Sequence, residues 1–587
     1  MSYPKIPLAQ TVIQLCKAKN IKHIVLSPGS RNAPLTIGFT HDPFFTCYSI
    51  VDERSAAFFA LGIAQNTQHP TALVCTSGSA LLNYYPAVAE AFYSDVPLVV
   101  ISADRPKHLV GIGDGQTINQ KDVYKNHILY SANLKLDIKN LPKTSGDDDE
   151  PAIIKSIENK LERFLGIKQA LQEENEEEIN LALNTAIHKL GPVHINVPFD
   201  EPLYETVKEL SVNPKVITVD ASPKKVDSVD LKLCLEDWSD ASKKMILVGV
   251  NPPNEIEQKW LDELANDNSV IVFTETTSNL HHKEFFPSID KIIAPLTDAE
   301  FTELQPDILL TFGGMVVSKK VKAFLRNYKP KQHWHIDSKK ANDTFFCLEK
   351  HIETTPNEFF SEFLPKITHF KKSNYKSVWK AVKQKRNDLH KSYLAEIPFS
   401  DFKVFDAVFK ALPKQTALQI GNSSAIRYSQ LFNISKSLQV FCNRGTSGID
   451  GSTSTAIGFA VANKNQTTFV TGDLSFLYDN NALWNNYIPK DFRIIVINNG
   501  GGGIFRILPG HKNTENFDQY FETKHNLTAK QLCEMHGLDY KTAHDETQLN
   551  EQLSTFFNAS KQPMLLEVFT PSTVNDEILL NYFSYIK

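Results

Sequence analysis

TTFVTGDLSFLYDNNALWNNYIPKDFRIIVINNGGGGIFRILP, residues 467 to 509, is the stretch that decides how this chain folds. An apolar, β-branched run ends at Gly472-Asp473, a segment with helical spacing follows, and a second apolar run ends at Asn498-Asn499 ahead of four glycines. Two such runs joined by a helical crossover predict neighbouring strands of a parallel sheet. The crossover returns the Asp473 carboxylate and the Asn499 side-chain carbonyl to the same sheet edge, where open α/β sheets bind ligands. Both are hard oxygen donors. With a backbone carbonyl from the glycine run, that of Gly501, they form a candidate octahedral site for Mg²⁺ or Mn²⁺, cations that share their shell with phosphate oxygens. The glycines permit a close backbone approach to a diphosphate that side chains would obstruct.

The same grammar recurs outward from this stretch. HIVLSPGS (23–30), TALVCTSGS (71–79), VPLVVISAD (96–104), GPVHINVP (191–198), KMILVGVNPP (244–253), SVIVFTET (269–276), DILLTFGG (307–314), TALQIGN (416–422) and PMLLEVF (563–569) are short Val- and Ile-rich runs, most of them closing on small or polar residues. Helix-period stretches lie between them. Continuous apolar strands alternating with helices predict parallel sheets buried on both faces, an α/β class with three doubly wound domains. Charge-rich connections place the domains at residues 1–204, 205–370 and 371–587. TSGDDDEPAII and QEENEEEIN read as an exposed insertion with helical parts, and HFKKSNYKSVWKAVKQKRNDLHKSYL reads as a charged helix leading into the last domain.

The 587 residues carry 62 Lys and Arg against 67 Asp and Glu, a net charge of −5. That balance offers no basic surface for nucleic acid and favours small-molecule partners. No stretch is apolar for long enough to span a bilayer, and the N-terminus lacks a basic patch followed by an apolar run. Seven cysteines without a Cys-x-x-Cys pair, with Cys75 and Cys442 inside strand-like runs, predict buried thiols and a cytoplasmic setting.

The pairing of Gly472-Asp473 with Asn498-Asn499 resembles the signature of the thiamine-diphosphate enzymes, Gly-Asp-Gly followed at a distance by Asn-Asn; Leu474 stands where the third residue is usually Gly. The resemblance implies that thiamine diphosphate is held by Gly472, Asp473, Leu474, Ser475, Asn499, Gly501 and Ile504. Ile449 of RGTSGIDG matches the bulky residue that props the cofactor into a bent shape. It also implies a carboxylic acid against the aminopyrimidine ring, and Glu53 of CYSIVDERSAAFFALGIAQ occupies that position, although a carboxylate there equally suits a helix N-terminus. A homo-oligomer with the active site at the subunit interface is implied as well.

LSPGSRNAPLT (26–36), SADRP (102–106), RGTSGIDG (444–451), GDLSFLYDNNAL (472–483) and GGIFRILP (502–509) are similar to the branch of this family that serves menaquinone biosynthesis. The implied reaction is decarboxylation of 2-oxoglutarate and 1,4-addition of the succinyl carbanion to isochorismate. Two dicarboxylates call for several cations, preferably arginines that grip carboxylates with two hydrogen bonds. Arg31, Arg105 and Arg444 each follow an apolar run. Ser423 and Arg427 of GNSSAIRYSQ, Lys319 and Lys320 of MVVSKKVKAF, and Ser30 and Gln116 match polar positions of relatives. Phe505 and Leu508, with Ile504, match an apolar wall over the thiazolium. Ser30, Arg31, Gln116 and Glu53 are the expected catalytic set. Competing readings are an acetolactate-synthase-like carboligase or 2-oxoacid decarboxylase, which needs fewer carboxylate-binding cations, and a non-catalytic cofactor sensor.

Overall fold

The computed structural model describes residues 2–137, 150–219, 225–369, 371–507 and 514–587, with the side chains of helix Glu150–Lys189 described from residue 166 onward. Three wholly parallel sheets organise it. The first runs, in spatial order, Thr46–Ser49, His23–Leu26, Thr71–Cys75, Leu98–Asp104, Val193–Pro198, Tyr130–Asn133. The middle sheet runs Val270–Thr274, Lys244–Val248, Ile308–Phe312, Gln332–Ile336, Leu348–Ile352. The last runs Gln439–Phe441, Ala417–Ile420, Thr467–Gly472, Arg493–Asn498, Met564–Phe569, Asp539–Ala543. The α/β class and the parallel sheets therefore stand as expected from the sequence.

Continuous apolar runs become strands here because both faces of each sheet are covered. In Lys244–Val248, Ile246 and Val248 enter one hydrophobic core while Met245 and Leu247 enter another on the opposite face. In the first sheet Ile24 and Leu26 join one core, and Val25 between them is equally buried. Strands not evident as apolar runs lie mostly at sheet edges: Tyr130–Asn133, Leu348–Ile352, Gln439–Phe441 and Asp539–Ala543. An edge strand is only partly covered and does not need an unbroken apolar run. The interior exception, Gln332–Ile336, is masked by its histidines. His333 and His335 both hydrogen-bond the Thr311 hydroxyl, at 2.9 and 2.8 Å, and burial pushes His333 down to about 4, so it packs as a neutral ring.

By chain contacts the described residues form two compact units. One comprises Met1–Ala221 with Ile457–Ala462 and Asn481–Tyr487, and holds the first sheet. The other comprises Ser222–Ala456, Asn463–Asn480 and Ile488–Lys587, and holds the middle and last sheets. Within this second unit the charged helix expected between domains runs from Tyr375 to Glu396. Its Tyr375 and Trp379 pack in the middle core and its Tyr393 and Leu394 in the last. The Glu-rich stretch of the first unit lies in the helix Glu150–Lys189. All seven cysteines are free, with Cys75 and Cys442 buried as the sequence implied. Among the described residues no helix is long and apolar enough to cross a membrane.

Candidate active site

In the last sheet the strands Thr467–Gly472 and Arg493–Asn498 are parallel neighbours, with Gly472 opposite Ile497. The chain leaves the first strand directly into the short helix Asp473–Tyr478. Asp473 is thereby buried at the sheet edge. Its Oδ1 accepts the Leu474 amide at 2.7 Å, and its Oδ2 accepts the Gly501 amide at 3.0 Å and lies 3.3 Å from His525 Nε2. Leu474 is helical, so the position needs no glycine, and the departure from the family signature carries no backbone penalty. Ser475 is buried and donates its hydroxyl to the Ile449 carbonyl at 2.8 Å.

Asn499 completes the pair. Its Nδ2 donates to Asp401 Oδ2 at 3.0 Å, while its Oδ1 is buried without a hydrogen-bond partner. Buried amide oxygens are almost always satisfied, so this one is an acceptor suited to a ligand. A carboxylate, an amide oxygen and a backbone carbonyl of the glycine run that follows form the donor chemistry that Mg²⁺ prefers. Burial pushes Asp401 up to about 6 against hydrogen bonds from Thr570 and Asn499, with Asp473 adding repulsion.

The glycine run is shaped by what crosses it. Gly501 has a φ of 152°, and a Cβ there would lie 2.7 Å from the Glu522 carbonyl oxygen. Gly502 donates its amide to that same carbonyl at 2.6 Å, and His525 donates its amide to the Gly500 carbonyl at 3.0 Å. Arg506 hydrogen-bonds the buried Glu522 carboxylate through both Nε and a terminal nitrogen. Ile504 is half-buried, Phe505 is 39 % exposed, and Leu508 lies outside the described residues. Ile449 is 37 % exposed, so it is no ordinary core isoleucine.

The cations of the second unit gather beside the neighbouring strand, Ala417–Ile420. Ser423 takes a φ of 65°, strained for a non-glycine residue, and immediately precedes the helix Ser424–Ser429 that carries Arg427, without a side-chain cap to it. Arg444 donates to Asn422 Oδ1 at 2.6 Å, and its Nε is buried without a partner. Burial, then the like charge of Arg444, lowers the pKa of Arg427, while Asp290 opposes the shift. Lys319 and Lys320 begin the helix Lys319–Asn327; both are exposed, and Lys320 Nζ sits 4.3 Å from the Phe583 ring centroid.

Two acids beneath this cluster, Glu275 buried and Asp290 half-buried, escaped the sequence reading. Glu275, just past the strand Val270–Thr274, accepts the amides of Val317 and Ser318, both at 2.6 Å. Burial pushes it up to about 7, with Asp290 adding to the shift and the two amides and Arg444 opposing it. Asp290 accepts the Ser318 hydroxyl, and Ser318 caps the lysine-bearing helix through the Val321 amide. An acid at the carboxyl end of an apolar strand is the signal that could have flagged Glu275.

In the first unit, Ser30 and Arg31 follow His23–Leu26, Arg105 follows Leu98–Asp104, and Gln116 lies in the loop beyond. Arg31 donates to the Phe199 carbonyl at 3.2 Å and lies 3.3 Å from Glu201, while its buried Nε is unpartnered. Arg105 donates to Ser77 Oγ at 2.6 Å and to the Gln116 carbonyl at 3.0 Å. Ser30 and Gln116 are exposed, and Gln116 has a φ of 54°. Burial raises the pKa of Asp104, an acid that the sequence reading did not single out, and hydrogen bonds from Asn196 and the Arg105 amide and the charges of both arginines oppose that shift. These residues share the carboxyl edge of the sheet, at the switch between His23–Leu26 and Thr71–Cys75.

Glu53 opens the helix Glu53–Thr67, but its neighbour Asp52 is the cap, accepting the Ser55 amide at 3.2 Å. Asp52 thus meets the need of the helix start that the simpler reading had assigned to Asp52 and Glu53 together. Burial first, and Asp52 as well, raise the Glu53 pKa, although its own backbone amide opposes this.

Comparison with known proteins agrees with this geometry. Residues 6–123 match the profile of the thiamine pyrophosphate enzyme N-terminal TPP binding domain, residues 224–420 that of the middle domain of thiamine pyrophosphate enzymes, and residues 419–568 that of the C-terminal TPP binding domain. The chain is 58 % identical over 583 residues to a 2-succinyl-5-enolpyruvyl-6-hydroxy-3-cyclohexene-1-carboxylate synthase of Flavobacterium psychrophilum, covering 99 % of both chains. It is 57 % identical to a synthase of the same name from Christiangramia forsetii, covering 100 % of both. It is 36 % identical to one from Porphyromonas gingivalis, covering 98 % of this chain and 96 % of the relative.

Proposed function

This chain belongs to the thiamine-diphosphate enzymes and, among them, to the 2-succinyl-5-enolpyruvyl-6-hydroxy-3-cyclohexene-1-carboxylate synthases, and from that we infer its reaction and the work of each residue. It decarboxylates 2-oxoglutarate and adds the remaining four-carbon unit 1,4 to isochorismate, a step of menaquinone biosynthesis that releases carbon dioxide. Bound thiamine diphosphate supplies the electron sink that carbon–carbon cleavage and re-addition require.

The protein supplies position, charge and protons. Asp473, Asn499 and the Gly501 carbonyl would hold Mg²⁺ or Mn²⁺, which would neutralise the charge of the diphosphate, and the unpartnered Asn499 Oδ1 is the observation that supports this most directly. Gly472, Leu474, Ser475, Ile449 and Ile504 flank the cofactor. Glu53 keeps a proton on its carboxyl group and hydrogen-bonds the aminopyrimidine, a role its upward-shifted pKa favours. Arg427, whose charge burial and then the neighbouring Arg444 disfavour, binds substrate carboxylates with Arg444, Ser423, Lys319 and Lys320. Arg31 and Arg105, with Ser30 and Gln116, bind and orient the second acid. Phe505 and Leu508 keep water from the reacting carbon.

The enzyme works in the cytoplasm as a homo-oligomer whose active site takes Glu53 from one subunit and Asp473 and Asn499 from another. Its domains meet near residues 204 and 370. An acetolactate-synthase-like activity and a silent sensor are not favoured, because full-length relatives carry the synthase name. Mass analysis of the product from 2-oxoglutarate and isochorismate with thiamine diphosphate and Mg²⁺ tests the reading. The adduct lacking one carbon dioxide is expected; turnover of pyruvate with none of 2-oxoglutarate overturns it.

A further inference from the structure

We propose that Asp401 is a positioning residue for the metal site, holding the Asn499 side-chain amide in the single orientation that turns its oxygen toward the cation. This inference rests on Asn499 being a metal ligand. A side-chain amide has two orientations that differ by half a turn and fill the same space, and only its hydrogen-bond partners choose between them. An ionised carboxylate accepts and cannot donate. Asp401 Oδ2 takes the Asn499 Nδ2 at 3.0 Å, so the –NH₂ must face Asp401 and Oδ1 must face away, where it is buried with no other partner. The reversed amide would set two oxygens against each other and aim –NH₂ at the cation.

Asp401 is itself held through both its carboxylate and its backbone amide. Oδ1 accepts the Thr570 hydroxyl at 2.6 Å, and the Asp401 amide donates to Asn575 Oδ1 at 2.9 Å. Thr570 in turn donates its amide to the Asn498 carbonyl at 3.1 Å, the residue immediately before Asn499. The chain of contacts therefore closes on the strand end that presents the ligand. Asp401 also lies in the first turn of the helix Asp401–Ala411, whose dipole favours a negative charge there. Partners that orient a metal ligand in this way commonly govern affinity as strongly as moderate changes to the ligand itself.

Calorimetric titration of Mg²⁺ into the full-length protein saturated with thiamine diphosphate tests this, with the spectrum of bound Mn²⁺ as a second readout. Asp401→Asn can donate to Asn499 Oδ1 and so permits the reversed amide; the metal Kd should rise about 10- to 100-fold while the thermal midpoint of the metal-free protein changes little. In an Asn499→Asp background there is no amide to orient, so adding Asp401→Asn should not weaken metal binding further. An unchanged Kd in Asp401→Asn, or the same rise in both backgrounds, overturns the proposal. If Asp401→Asn does not fold, Thr570→Val releases one tether of the carboxylate and should give a smaller rise that vanishes in Asn499→Asp; no rise overturns the proposal equally. Asn499→Ala separates the two levels. If it leaves the Kd unchanged, Asn499 is not a ligand and the metal-site reading fails; if it raises the Kd while Asp401→Asn does not, only the positioning role fails.

Discussion

Glu53 and Asp52 stand side by side at a helix start, yet the structure divides their work. Asp52 accepts the first-turn amide, and Glu53 is left half-buried with a raised pKa. Glu53→Gln should therefore keep fold and cofactor binding while lowering turnover by roughly 100-fold or more; steady-state kinetics beside calorimetric cofactor binding checks it, and undiminished turnover would remove Glu53 from the mechanism. Glu275 gives a second expectation, in stability. Its pKa is raised in the folded state to about 7 from the ordinary 4.5, so its stabilising contribution is complete below 4.5 and is lost as pH rises through 7. Wild type should lose stability across this window relative to Glu275→Gln, at no more than about 1.4 kcal/mol per pH unit. Urea midpoints of both proteins at the two ends of the window read this directly, and parallel pH profiles would show that Glu275 stays ionised. The network of Glu275 and Asp290 was not legible from residue type, because these acids acquire their roles from amides and hydroxyls distant in sequence.

Among the elements, the strand–helix–strand unit from Thr467 to Asn498 was fully legible, since its apolar runs, crossover and terminal residues all lie within one short window. What crosses over its glycine run was not. The segment carrying Glu522 and His525 threads across Gly500–Gly502, and the Arg506–Glu522 pair locks it down. Glu522 is almost fully buried while Arg506 keeps some solvent contact. Glu522→Gln should then cost on the order of 2 kcal/mol, below the ~3–5 kcal/mol of a wholly enclosed pair, and should raise the thiamine diphosphate Kd with it. Denaturant unfolding and calorimetry together measure the two effects; a stability loss with unchanged cofactor affinity would show that the latch does not shape the site. Gly501→Ala faces both a positive φ and a carbonyl at 2.7 Å, and should weaken cofactor binding at least as much.

At the scale of the whole molecule, the first and last sheets have the same strand order. Taking the strands of each in chain order, both run second, first, third, fourth, sixth, fifth, and the middle sheet shares the first four places of that order. No repeat is visible in the sequence, because packing on two faces constrains apolar character and leaves residue identity free. The proposed assembly makes a testable demand. Glu53→Gln and Asp473→Ala proteins, each inactive alone, should recover on mixing up to about a quarter of wild-type turnover if they exchange freely as dimers, since each hybrid would contain one intact site. No recovery after verified subunit exchange would place Glu53 and Asp473 in sites built by one chain.

The sequence by itself determined the α/β class, the central apolar strands, the Asp473–Asn499 pairing and the cationic loops, because each depends on local periodicity or on residues at the ends of neighbouring strands. Tertiary structure alone decided which amide oxygen was left unpartnered, which of two adjacent acids capped a helix, and which carboxylates support the cations. Those outcomes depend on hydrogen-bond partners brought together by the sheets: Asp401 meets Asn499, and Glu275 meets Val317 and Ser318, only once the chain has folded. Burial then sets how strongly each charge is felt, and burial is a property of the packed molecule that no single stretch of sequence contains.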